Sequence, residues 1–219
     1  AEGPYMAVDT VVFDDANNDA PDYNESGYLD VTFENVGVDP ASSVSAVLSC
    51  ATPGVTITDA NHTISSLAAG ASVLADNAYA ISIANNVANG TVANFTITMT
   101  MSGESPWTHN FTLTLNAPAL NFGAMTVSDP TGNNNGRLDP GETVTINMPL
   151  HNTGGATSPA GTATMSCAVT GITVNTGSAN FSAIAAAGSA NLSFSLTADA
   201  GMAIGTVVSL NFAATAGQY

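Results

Sequence analysis

Apolar and polar residues alternate through the longer runs of this chain. In Phe95, Ile97 and Met99, and again in Phe111, Leu113 and Leu115, every second side chain is apolar and Thr stands between. A two-residue period sets one face against a core and the other in water, which is the pattern of a half-buried strand. The same reading predicts strands over Val8 to Phe13, Tyr28 to Phe33, Val44 to Ser49, Val55 to Thr58, Tyr79 to Ile83, Thr91 to Met101 and Trp107 to Leu115. Pro53-Gly54 supplies turn chemistry between the third and fourth. No segment sustains a helical period. The Ala-rich pieces Ser66 to Ala71 and Ala183 to Ala187 are read as connections.

The pattern occurs twice. At an offset of 117 positions, Asn35-Val36-Gly37 meets Asn152-Thr153-Gly154, Leu48-Ser49-Cys50 meets Met165-Ser166-Cys167, and Gly54 meets Gly171. Further on the offset becomes 115, so that Gly90-Thr91-Val92 meets Gly205-Thr206-Val207. Seven short strands per copy, with closely spaced turns, predict an immunoglobulin-like sandwich. The expected fold is therefore all-β: two tandem immunoglobulin-like β-sandwiches, residues 1–117 and 118–219. The strands of the second copy are expected to run through Thr206 to Ala214. Tyr219 then matches Glu104, so the second sandwich is expected to lack its last strand, the counterpart of Trp107 to Leu115. An unpaired sheet edge is an aggregation hazard. Its strand is expected in trans, from another molecule, or from a longer chain. Tyr5 to Phe13 is the donor candidate if its own domain does not use it.

Charge narrows the partners. Only 8% of the 219 residues are charged, there is one Arg and no Lys, and the formal charge is −16. Phosphate neutralisation needs cationic side chains, so no nucleic-acid partner is expected. No apolar run approaches the roughly 20 residues that span a bilayer, so no membrane insertion is expected. The near absence of Lys and Arg leaves little for trypsin-like proteases and suggests an extracellular or cell-surface, secreted protein.

Two oxygen-rich loops stand at matching places. In the second copy Asp129, Asn133, Asn135, Asp139 and Glu142 offer side-chain oxygens, Arg137 offers its carbonyl, and Gly136 permits a sharp turn. In the first copy Asp14, Asp15, Asn17, Asn18, Asp19, Asp22 and Glu25 crowd together, with Ala20-Pro21 where a glycine is lacking. Hard cations take six to eight such oxygens from one loop, so calcium is the expected ion, with the second loop the better shaped. Catalysis has no comparable signature. His62, His109 and His151 lie outside any metal-binding spacing, and Cys50 and Cys167 sit at equivalent strand positions, as packed free thiols. Trp107, at a strand start, is read as packing. No enzyme activity is expected.

The phrases Leu29-Asp-Val-Thr-Phe-Glu-Asn-Val-Gly37, Gly132-Asn-Asn-Asn-Gly-Arg-Leu-Asp-Pro-Gly-Glu142 and Leu115-Asn-Ala-Pro-Ala-Leu120 resemble paired Ig-like modules of secreted gingipain-like cysteine peptidases. They also resemble those of related surface proteins that leave the cell by the type IX route. The resemblance implies non-catalytic sandwiches that bind, space or stabilise; the family's catalytic domain has no counterpart here. The expected function is a structural module, a fibre or surface-layer (filament) subunit that self-associates by donor-strand complementation and is stiffened by calcium. The alternative is a non-catalytic region of a larger parent chain, a secreted peptidase or adhesin.

Overall fold

A computed structural model describes residues 3–219. The chain is all-β and divides into two compact units, Ala1–Asn116 and Ala117–Tyr219. Unit 1 holds β1 (Met6–Asp14), β2 (Glu25–Asn35), β3 (Ala41–Cys50), β4 (Val55–Asp59), β5 (Asn61–Leu67), β6 (Ser72–Ile83), β7 (Thr91–Thr100) and β8 (Trp107–Leu115). Unit 2 holds β9 (Leu120–Phe122), β10 (Thr126–Ser128), β11 (Thr143–Asn152), β12 (Gly161–Cys167), β13 (Ile172–Thr176), β14 (Ser178–Phe181), β15 (Ser189–Ala198) and β16 (Leu210–Thr215).

In unit 1 the sheet β1-β2-β6-β4 faces the sheet β5-β3-β7-β8. Inward residues of both, among them Leu29, Phe33, Tyr79 and Ile81 against Leu48, Phe95, Ile97 and Met99, are buried and form the core. Removing such side chains from water is the main favourable term in a fold of this kind. Unit 2 repeats the plan with β10-β11-β15-β13, to which β9 adds on β11, and with a second sheet of three strands, β14-β12-β16. Its core is built on Val144, Ile146, Leu150, Phe194 and Leu196 from the first sheet and on Ala163 and Met165 from the second.

The repeat holds at the level of register. Cys50 pairs with Phe95, and Cys167 with Leu210. Glu34 pairs with Ser72, and His151 with Ser189. The change of offset from 117 to 115 has a physical location. Between Leu29↔Tyr79 and Val31↔Ala75, β6 bulges at residues 76–78, whereas β15 runs straight from Leu192 to Phe194 opposite β11. The bulge puts Asn77 at φ 51, and Asp30 closes it by accepting from the Asn77 N–H at 2.6 Å.

Three expectations need correction. Unit 1 has eight strands rather than seven, because Asn61–Leu67 is a strand beside β3. Only the stretch after it, at residues 68–71, is a turn. The N-terminal segment is β1, paired with β2 in its own unit, so it is not a spare donor. Finally, β16 starts at Leu210, not Thr206. The reason lies in unit 1, where the first four residues of β7 pair only with β8: Thr91↔Leu115 through Asn94↔Thr112 are β8 pairs, and β3 joins from Phe95 onward. Residues 206–209 have no such neighbour.

One polar side chain is buried at the same place in each unit. Asn35 is 0% exposed and Asn152 1%. Asn35 donates to the carbonyls of Asp39 and Leu67, and its oxygen accepts from the N–H groups of Tyr5 and Gly37. Asn152 does the same with Ala156, Ile184, Ala119 and Gly154. A Cβ on Gly37 or Gly154 would overlap the incoming backbone (Gly3 and Tyr5, or Ala117 and Ala119), so only glycine fits beside this amide. Tyr79 is the opposite case: fully buried, its hydroxyl has no partner, and unit 2 has Phe194 there.

Asn152→Ala strands two donors, Ala119 N–H and Gly154 N–H, and one acceptor, Ala156 O, while Ile184 O keeps Ser158 N–H; we expect it to cost about 3 kcal/mol in chemical denaturation. Tyr79→Phe removes an unpaired buried hydroxyl and should stabilise unit 1 by about 1 kcal/mol.

Candidate functional site

Two regions differ from ordinary sandwich packing: the edge at β16 and the paired acidic loops. At the edge, the inward residues Leu210, Phe212 and Ala214 are half-buried. Their unit 1 counterparts Phe95, Ile97 and Met99 are no more than 1% exposed, because β8 closes the sheet beside them. Phe212 packs on Phe122 and Phe194 at centroid distances of 5.8 and 5.7 Å. Just upstream, Ile204 and Val207 are 94% and 82% exposed. The turn that precedes the strand is nevertheless the same in both units: Thr91 Oγ1 donates to Ala88 O, and Thr206 Oγ1 to Ala203 O. The approach is preserved, and the strand that should follow is shortened.

A pocket of about 60 Å³ lies at one end of this edge, lined by Leu138, Asp139, Pro140, Gly205, Thr206 and Val208 among others. The matching place in unit 1 holds Leu115 and Asn116, at the end of β8. There Gly90 N–H donates to Leu115 O, Asn116 N–H donates to Pro21 O, and Tyr23 N–H donates to Asn116 O. The Asn116 amide donates to Asp22 Oδ1 at 3.0 Å.

The acidic loops share one hydrogen-bonded design. Asp15 accepts from the N–H groups of Asn17, Asn18 and Asp19; Asp129, only 1% exposed, accepts from Asn135 and Gly136. Asn18 Oδ1 accepts from Ala20 N–H while its amide donates to Asp22 Oδ2; Asn135 does the same with Arg137 and Asp139. The turn does not depend on glycine, contrary to expectation: Asp19, at φ 56, takes the left-handed position that Gly136 takes at φ 73. The second loop is three residues longer between its first carboxylate and this turn.

That insertion changes how the carboxylates of the two loops are supplied with donors. In the second loop Asn133 N–H and Asp139 N–H donate to the two oxygens of Glu142, and the Asn133 and Asn135 amides both donate to Asp139 Oδ2. Its carboxylates are supplied with protein donors, and Arg137 is an exposed residue whose N–H is the group tied into the turn. In the first loop Asp15 Oδ2 and Glu25 Oε1 are enclosed and have no donor. Asn17 enters through its N–H alone, and Asp22 is committed to Asn18 and Asn116. The carboxylate oxygens left open to a ligand such as a hard cation are therefore in the first loop, where Asp14 and Asp19 also lie. No group of three or more His, Cys, Asp or Glu side chains among the described residues is already gathered around a single metal position.

Electrostatics follows the same division. Burial, then the charges of Asp19, Asp30 and Asp15, raise the Asp14 carboxyl above its ordinary 3.8. At Asp15 burial acts upward, but the three backbone donors together outweigh it and hold the group low. Asp139 is held low by the amides of Asn133 and Asn135, aided by Arg137.

The other singled-out residues pack. His62 stacks on Phe33 at 5.6 Å, and burial lowers its imidazole below the usual value. His109 lies against Phe111, and Trp107 meets Tyr5 edge-on at 6.4 Å. Cys50 and Cys167 are free thiols and half-buried, since each is the last residue of its strand.

No protein-family model matches this sequence, and no curated protein matches it. Some solved structures show distant similarity to it. The chain is similar to red sea bream transglutaminase (14% identity, TM-score 0.37), covering 95% of this chain and 29% of that one. It is similar to the secreted serine protease VesC from Vibrio cholerae (12%, TM-score 0.30, 90% and 48%) and to E. coli alpha-2-macroglobulin (10%, TM-score 0.34, 97% and 16%). The chain thus spans less than half the length of each. The class defined by the fold is sandwich-type, Ig-like β protein.

The carboxyl groups give a pH signature in metal-free protein. Asp15 and Asp139, held below 3.8, stabilise the native state fully above that value, and the contribution is lost as pH falls through their folded values. Asp14, raised, favours the native state below 3.8 and loses that contribution as pH rises through its folded value. Asp14→Asn should therefore raise the melting temperature at neutral pH and Asp139→Asn lower it. Both differences should shrink well below pH 3.8, which thermal melts across pH will check.

Proposed function

We propose that this chain is a non-catalytic extracellular structural module whose second sandwich accepts a β-strand from a neighbouring molecule along β16. Strand addition of this kind builds a fibre or surface layer by self-association when the donor is another copy, through a segment other than β1, which β2 holds. The observation that carries the reading is the contrast between β7 and β16. Four residues of β7 owe their strand conformation to β8 alone, and their counterparts at 206–209 are not in strand conformation beside a half-buried Leu210, Phe212 and Ala214. Main-chain pairing supplies affinity in such additions, and alternate side chains supply specificity. The low charge of the surface fits a protein that works by packing. The phrases shared with Ig-like modules of gingipain-like peptidases and related surface proteins favour a spacing or stabilising role over a chemical one.

Calcium stiffens the module on this reading. The enclosed oxygens of Asp15 and Glu25 supply the motive, because a chain with one cationic side chain has little else to neutralise them. Asp22, in the same loop, also holds Asn116, the last residue of unit 1. An ion there would order the loop and the chain segment tied to it.

Light scattering over a wide concentration range tests assembly: mass should rise with concentration, and a monomer throughout would overturn self-association in favour of a strand supplied within a larger parent chain. Saturating calcium should raise the melting temperature of unit 1 by about 5 °C or more. Asp15→Asn with Glu25→Gln should abolish the shift, and a melt indifferent to both calcium and EDTA would contradict the ion.

A further inference from the structure

Resting on the strand-acceptor reading, we infer that β16 selects its incoming strand: antiparallel, uncharged, apolar at alternate positions, and ending in a Leu-Asn pair seated in the pocket at Leu138, Asp139 and Gly205. The internal repeat is the template. On β7 the strand β8 runs antiparallel from Met99↔Trp107 to Thr91↔Leu115. At the offset of 115, Met99, Ile97 and Phe95 become Ala214, Phe212 and Leu210, so the incoming strand sets its inward residues opposite these three. In β8 those places are taken by Trp107, His109 and Phe111, all half-buried, with exposed Thr108, Asn110 and Thr112 between them. Paired in this register, the strand would extend β16 back through Val208 and Val207 to Thr206, as β7 extends to Thr91.

The end of the strand is read by a built set of groups. In unit 1 Leu115 is 0% exposed, and Asn116 is fixed by Pro21 O, Tyr23 N–H and Asp22 Oδ1. Unit 2 offers Leu138 O, Asp139 Oδ1 and Gly205 N–H in the equivalent positions around the pocket. Pro140 replaces Tyr23 and has no N–H, so one of the four bonds is lost. Asp139 Oδ2 is occupied by Asn133 and Asn135, just as Asp22 Oδ2 is by Asn18, which leaves Oδ1 of this pocket-lining residue as the oxygen equivalent to the one that holds the Asn116 amide. Thus the loop that was expected to hold an ion serves in unit 2 as the reader of the strand's last residue. A carboxylate accepting an amide also explains why the strand must be uncharged: an acidic residue there would meet Asp139.

The probe is a synthetic peptide with the sequence of residues 107–116, WTHNFTLTLN, titrated into the whole 219-residue protein and followed by NMR. Saturable binding is expected, with the amides of Thr206 to Ser209 and those of β16 that face away from β12 shifting and becoming protected from exchange. Changing the peptide residue equivalent to Leu115 or Phe111 to Asp should weaken binding at least about 30-fold. Replacing the final Asn by Ala should weaken it about 10-fold, and Thr112→Gln in the peptide should leave it unchanged. Binding that ignores the Leu and Asn changes would overturn the register and the pocket while leaving the strand-acceptor reading in place. Binding by a peptide with apolar and Thr positions exchanged would do the same. Failure of the peptide to bind or protect β16 at any concentration would overturn both.

Discussion

A backbone enclosed between apolar sheets must have its N–H and C=O groups paired, and this chain meets the demand with almost no charge to help. Where the ladders stop, a side chain takes over. Asn35 and Asn152 each satisfy four main-chain groups from three segments: the incoming strand, the turn after β2 or β11, and the connection before β6 or β15. The carboxylates of Asp15 and Asp129 do the same for consecutive N–H groups in the acidic loops. Hydrophobic burial drives the two sheets together, but these few polar groups decide which backbone path is tolerated. The same demand is least met at the edge of β16, where the ladder within the unit stops at β12 on one side.

The two units amount to a comparison within one chain. They share register over most of their strands, turn conformations and the buried amide, and three of their differences bear on the loops and the edge. A bulge at Asp76–Asn77 distorts β6 but has no equivalent in β15. Three extra residues in the second acidic loop bring Asn133 N–H to Glu142, whereas the first loop leaves Glu25 and Asp15 each with an oxygen lacking a donor. And β8 covers β7. The first loop is thus the one with enclosed carboxylate oxygens left without donors, and the second borders the pocket beside Gly205 and Thr206.

Much of this was legible in the sequence, since period-two alternation and a repeat survive in residue types alone. The strands around Phe95 and Phe111 and the matched Asn-x-Gly phrases are examples. What escaped depends on geometry. The buried residues of β5, Ile64 and Leu67, lie three apart, so the alternation breaks and the polar remainder reads as loop. The start of β16 was misplaced because strand propensity in Thr206 to Ser209 is not enough without a neighbour to pair with. The left-handed turn at Asp19 was hidden because the residue is not glycine, although Asp tolerates that region better than most. The fit of the loops to an ion turned on which oxygens already had donors, which no composition reveals.

Two sandwiches with matched cores result: in one, β8 lies beside β7, and in the other, β16 ends its sheet with inward residues only half-buried. The central claim concerns the backbone of residues 206–215. Residue-resolved amide hydrogen exchange, comparing β16 with β7 in dilute protein and again in the assembled form, tests it most directly. The account predicts fast exchange at Thr206 to Ser209 and at those β16 amides that face away from β12, beside slow exchange at the matching positions of β7, rising to equal protection on assembly. Protection of β16 equal to that of β7 in a dilute monomer would contradict it.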